Sequence, residues 1–114
     1  MTGSSKRKGD VGEREAAQLI HELLGVPARR KLGAGRLDDM GDIDGVPDTT
    51  IQVVSRSTDV VSVGVVRKPL EVEVQSRVAG TTFAATFLRV RGGTWRVVLT
   101  PAQWATYARE AMKP

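Results

Sequence analysis

Three positions in this sequence carry side chains suited to holding a hard divalent cation: Glu13, Asp42 and Gln52. At 100° per residue Glu13 falls between Ala16 and Ala17 and in line with Ile20, on the apolar side of a helix. A carboxylate there must be hydrogen-bonded, paired or metal-bound, since leaving it desolvated and alone costs several kcal/mol. Asp42 ends a short strand in GDIDGVPD, and Gln52 follows on the strand TTIQVV, where Gln52, Val54 and Arg56 share one face and Ile51 and Val53 the other. Gathered around one point, the three would form an oxygen-ligand site for Mg²⁺, which takes one or two carboxylates and keeps several waters. Such an ion polarises a phosphate and lowers the pKa of bound water. Asp38, Asp39, Asp44 and Asp48 read instead as turn and cap residues.

The elements that must position these groups follow from periodicity and punctuation. Residues 1–9 read as a flexible basic tail. Residues 10–24 read as an amphipathic helix with Ala16, Ala17, Leu19, Ile20, Leu23 and Leu24 on one arc and Gly25 as its stop. ARRKL (28–32) is a candidate first strand, and 41–54 a hairpin turning at GVPD. The region 58–79 is strand-like in VVSVGVV, yet Asp59 suits a helix cap and Pro69 a helix start, so mostly helix with a break near Pro69 is expected. TTFAATFLRV and WRVVL form a hairpin around Gly92 and Gly93. Thr100, Pro101 and Gln103 then announce a capped helix whose buried side would be Trp104, Ala108 and Met112. The expected class is α/β, a mixed central sheet flanked by helices in the order α-β-β-β-α-β-β-α, with 10–114 as a single domain.

The 114 residues allow one core. Seventeen Lys and Arg against thirteen Asp and Glu leave a net charge of +4, which favours a polyanionic partner, nucleic acid before an anionic membrane surface. The charge is uneven: residues 1–36 hold eight bases, whereas 38–48 hold five aspartates and none. With no cysteine, disulfide frameworks and thiolate zinc sites are excluded. No apolar run is long enough to cross a bilayer, and MTGSSKRKG lacks the apolar core of a signal peptide, so a soluble cytoplasmic protein without membrane partners is expected.

In this order the motifs resemble the PD-(D/E)xK nucleases, and among them the Holliday junction resolvases of archaea and phages. KGDVGEREAAQLIHELLG looks like the signature first helix, RRKLGAG like the basic strand and glycine turn, GDI like the metal-binding aspartate, IQVVSR like the Ile-Glu-Val-Lys strand, and FAATFLRVRGGTWRVVLTP like the terminal hairpin. The resemblance spans roughly residues 8–112. It implies a restriction-endonuclease-like core and a DNA endonuclease that hydrolyses junction phosphodiesters with Mg²⁺ or Mn²⁺, in the host cell cytoplasm if phage-encoded. Glu13 and Asp42 would hold the metal, and Gln52 stands where the family has its second carboxylate.

Val54 stands where the family has a lysine that orients the attacking water, and valine does neither acid–base nor electrostatic work. Arg56, Lys68 or Arg67 could supply the missing cation; otherwise the chain is a catalytically impaired nuclease-fold protein that binds branched or duplex DNA. Lys8, Arg29, Arg30, Lys31 and Arg36 are the expected phosphate contacts. With only five aromatic residues, and Trp95, Trp104 and Phe83 expected in the core, recognition of duplex shape is favoured over base stacking. Two symmetric cuts at a four-way junction would require a two-fold homodimer. A small basic adaptor without a nucleic-acid role is the remaining reading.

Overall fold

The computed structural model describes residues 2–31, 41–55 and 59–114, with 2–10 as helical backbone alone. Helix α1 spans Thr2–Leu24. It ends where Gly25, at φ 71°, gives its N–H to His21 O at 2.8 Å. The helix therefore starts well before residue 10, and residues 2–9, expected as a tail, are helical. Once the segment bearing Ala16, Ala17 and Ile20 is anchored, each added residue gains a helical hydrogen bond without a new nucleus.

Strands β1 (Arg29–Arg30), β2 (Ile43–Asp44), β3 (Thr49–Val54), β4 (Phe83–Val90) and β5 (Thr94–Val98) form one five-stranded sheet in that spatial order. The β3–β4 pair is parallel and the other three are antiparallel, so the sheet is mixed and the chain is α/β. A parallel neighbour needs a long connection. It is supplied by a π-helical segment, Val60–Arg67, that runs into α2 (Lys68–Ala79). Asp59 caps the π-helix by accepting from Ser62 N at 2.9 Å, Pro69 lies in the first turn of α2, and Gly80 closes it in the left-handed conformation. The ambiguous stretch is thus helical, and its break is a change of helix type one residue before Pro69. Gly64 packs closely there: a Cβ would stand 2.6 Å from Leu88 Cδ1 of β4, so that side chain would have to shift.

Alternation along β3 separates two buried faces. Ile51 joins Ile43, Ala16, Ala17 and Ile20 under α1, with Val53, Phe87 and Trp95 packed around them. Each such aliphatic side chain contributes about 1.5–3 kcal/mol on full burial. Thr50, Gln52 and Thr86 face the α2 side and are also buried. Leu23 and Leu24, expected on the core arc, are exposed at 70% and 60%, because the packed stretch of α1 ends with Ile20 and its last turn runs past it.

Helix α3 spans Pro101–Ala111. Its capping box is complete: Thr100 Oγ1 accepts from Gln103 N, and Thr100 N donates to Gln103 Oε1. Gln103 Nε2 also donates to Pro69 O at 2.7 Å, which draws Gln103 inward and fixes the rotation of the helix. The residue one turn on, Tyr107, then meets Phe83 with ring centroids 4.9 Å apart. Trp104 and Met112 are consequently exposed at 62% and 80%, not buried as the apolar pattern suggested. Phe83 and Trp95 are half-buried.

Candidate active site

Asp42 is reached by a backbone that only glycine allows. Gly41 has φ 106°, and a Cβ on it would stand 3.0 Å from both Ile51 O and the Thr50 methyl. This close approach brings Asp42 against β3, where its own N–H donates to Ile51 O at 2.7 Å and its Oδ2 accepts from Val53 N at 2.8 Å. Its carbonyl accepts from Lys31 N at 2.7 Å, tying it to β1 as well. The carboxylate therefore does the work of a missing ladder acceptor. Only 7% of the residue is exposed, so it is a buried carboxylate held in a fixed place.

Glu13 lies on the α1 side of the same region. Its Oε1 is 3.4 Å from Arg30 Nε, with the two side chains 18% and 25% exposed, and Arg30 is the register partner of Ile43, the residue after Asp42. The demand that a core-facing carboxylate find a partner is met by this cation. Helix and strand come together here because Gly12 is packed on Ser55: a Cβ on Gly12 would lie 2.1 Å from Ser55 Oγ. The middle of α1 thus crosses the C-terminal end of β3.

Gln52 faces the other way. It lies between the two β3 residues that Asp42 bonds, but it is 3% exposed and its Nε2 donates to Gln75 Oε1 of α2. Val54, also buried, shares that side. Glu13 and Gln52 thus belong to opposite faces of the sheet, with Asp42 at its margin between β2 and β3. Among the described residues no group of three or more His, Cys, Asp and Glu side chains is arranged to hold a metal ion. The oxygen donors that suit a hard cation are the carboxylates of Asp42 and Glu13, while the Gln52 amide is engaged with Gln75.

Of the cations expected to replace the lysine, Lys68 Nζ is 3.0 Å from Glu71 Oε2 and Arg67 Nε is 3.5 Å from Glu71 Oε1. Arg56 lies outside the described residues. Glu71 and Gln75 were missed; with Lys68 at i they stand at i+3 and i+7 on one stripe of α2, a spacing that is readable once the helix start is known. Of the expected phosphate contacts, Arg29 is exposed on the edge strand β1, Lys31 is half-buried beside it, and Arg30 is engaged with Glu13. Arg36 and the Lys8 side chain lie outside the described residues. His21, expected on the polar face, is exposed and its Nδ1 lies 2.7 Å from Val26 O.

A second polar cluster was also missed. Glu15 Oε1 accepts from Trp95 Nε1 and from Arg89 Nε, both at 3.1 Å, joining α1 to β4 and β5. The Trp95 indole, and then Arg89, hold this carboxyl below its usual range. Asp48 and Asp59 are lowered by hydrogen bonds from Thr82 and Ser62, and burial raises the Tyr107 phenol.

Among the described residues no helix is long and apolar enough to cross a membrane. No protein-family model, no curated protein and no solved structure matches the chain.

Proposed function

We propose that this chain is a DNA endonuclease of the PD-(D/E)xK type, selective for branched DNA in the manner of a Holliday junction resolvase. One observation carries the reading. A helix, an antiparallel three-strand meander and a helical crossover to a parallel fourth strand hold buried Asp42 against Val53 N of β3, on a sheet whose α1 face carries Glu13 paired with Arg30 of β1. Asp42 and Glu13 are the residues that would hold Mg²⁺ or Mn²⁺, which supplies Lewis-acid activation of the phosphate and of a bound water. The protein's own part is to hold Asp42 rigidly through Val53 N and Lys31 N, and to present the Arg29 edge to the phosphate backbone. Two junction cuts call for two chains.

A second reading has its own support. The Gln52–Gln75 bond and the burial of Val54 take the acid and lysine positions of the resembled family out of a metal site. On that reading the chain binds junction or duplex DNA without cutting it.

The discriminating experiment is cleavage of an end-labelled four-way junction by wild type and Asp42→Ala, with Mg²⁺ and with Mn²⁺. Cleavage by wild type that falls to background in Asp42→Ala supports the enzyme. Tight binding with no cleavage under either metal selects the binding protein. Absence of binding to branched and linear DNA at low salt ends both. In a salt titration, Arg29→Ala is expected to shallow the slope of log K against log salt by about 0.9, the increment for one phosphate contact.

A further inference from the structure

Between α2 and α3 lies a cleft that the nuclease reading does not use. Glu73, Ser76 and Arg77 of α2 form one wall and Ala102, Gln103 and Thr106 of α3 the other, with Ala84 of β4 and Thr82 just before it closing the third side. Its volume is about 280 Å³. That is just under the range of about 300–1,000 Å³ for sites that take drug-sized ligands, so it suits a smaller molecule.

Two of its charges are arranged unlike a surface ion pair. Glu73 and Arg77 stand at i and i+4 on α2 with the acid first, the order that favours pairing along a helix. They do not pair. Glu73 Oε1 instead accepts from Thr100 Oγ1 at 3.0 Å, and the Arg77 guanidinium makes no hydrogen bond or ion pair among the described residues. The less favoured order one turn earlier, Arg67 before Glu71, does bring the charges to 3.5 Å. The cleft is therefore lined by a cation and an anion held apart, and its buried polar groups are already engaged. Ser76 Oγ donates to Thr81 O, and Gln103 accepts from Thr100 N while donating to Pro69 O.

We propose that this cleft binds a free α-amino acid with a small side chain, its carboxylate on Arg77 and its ammonium on Glu73 Oε2. A guanidinium offers two parallel N–H groups that match a carboxylate. Glu73 spends one oxygen on Thr100 and keeps the other for the ammonium, and the Thr82 and Thr106 hydroxyl oxygens are acceptors for its further N–H groups. A lone anion would meet Glu73 and a lone cation Arg77, so a ligand carrying both charges is selected against either half. Ala84 and Ala102 leave room for a methyl or hydroxymethyl side chain and little more.

None of these residues belongs to the candidate metal site, and a chain that fails to cut DNA leaves the proposal intact. Titration of the ¹⁵N-labelled chain with L-alanine should give saturable amide shifts at Arg77, Thr82 and Thr106, with a Kd on the order of 1 mM. Acetate and methylammonium, each with one of the two charges, should produce no saturable shifts there. Arg77→Gln and Glu73→Gln should each weaken L-alanine by about tenfold or more, the worth of one hydrogen bond to a charged group. Ala102→Phe, at an exposed position, should fill the cleft and abolish the shifts with an unchanged circular dichroism spectrum. Shifts with acetate alone that equal those with L-alanine overturn the proposal. So does failure to saturate by about 50 mM L-alanine, or affinity unchanged in Arg77→Gln or Glu73→Gln.

Discussion

The two faces of the sheet are buried by different chemistry, and β3 shows both within six residues. Toward α1, Ile51 and Val53 join Ile20, Ile43, Ala16 and Ala17 in a contact with almost no polar atoms. Toward α2, Thr50 bonds Thr81 at 2.6 Å, Gln52 bonds Gln75, and Ser76 Oγ donates to Thr81 O at 3.0 Å. The apolar face is held by area and shape, which are forgiving of direction. The polar face is held by partners, each of which is costly to orphan. That difference bears on function: an interior already built from hydrogen-bonding side chains can carry an amide at position 52 without a metal, whereas Asp42, at the sheet margin, is a buried charge held by the backbone N–H of Val53.

The largest expected effect lies on the apolar face. Ile20→Ala, at a site 2% exposed, should lose about 2–4 kcal/mol in urea unfolding, because the cavity cannot collapse against a sheet. Next comes the polar face, where Gln52→Leu removes the bond to the Gln75 amide and should cost about 1–3 kcal/mol. The double change Gln52→Leu with Gln75→Leu should recover most of that loss in a double-mutant cycle. Strict additivity of the two would show that the pair is not coupled. Glu15→Gln tests the tie that runs from α1 past the apolar face to Trp95 and Arg89. The Glu15 carboxyl is lowered in the folded chain, so its contribution is fully present above its unfolded value of 4.5 and disappears as pH falls through the folded one. Thermal melts should therefore separate wild type from variant by about 1 kcal/mol at pH 7 and draw together as pH falls below 4.5; the group is 40% exposed, so solvent screening keeps the effect small. The smallest effect is Thr86→Val. Thr86 Oγ1 is a buried side-chain oxygen without a hydrogen-bond partner, so replacing it by a methyl should change stability by less than about 0.5 kcal/mol or improve it. A clear loss there would mean that the polar face extends to β4.

What could be read from the residues was local. The Gly25 stop, the Asp59 cap, the left-handed glycines of the β4–β5 turn and the Thr100–Gln103 box are encoded within a few positions, and each stands where the pattern puts it. What escaped depends on distant partners. Trp104 is exposed because Gln103 reaches Pro69, 34 positions away, and no helical wheel contains that bond. Glu15, placed on a polar face, finds Trp95 across 80 positions. In the candidate site, Glu13 was recognisable as a carboxylate that needs a partner and Asp42 as an oxygen donor, but what they meet is a guanidinium on β1 for Glu13 and a backbone N–H on β3 for Asp42. The turning of Gln52 toward Gln75 depends on which helix covers which face, and periodicity along one strand leaves that open.

The parallel pairing of β3 with β4 sets the tempo of folding as well as the architecture. The β4–β5 hairpin and the capped α3 are built from near neighbours and can form within microseconds. The central seam cannot close until the whole crossover has been drawn into place, and its first fastening, Asp48 Oδ1 to Thr82 N, joins residues 34 apart. Loop closure of that span precedes any reward from the contacts it makes. Closing this seam should limit the rate of folding, so substitutions at Asp48 or Thr82 should slow refolding more than substitutions of similar cost in the terminal hairpin.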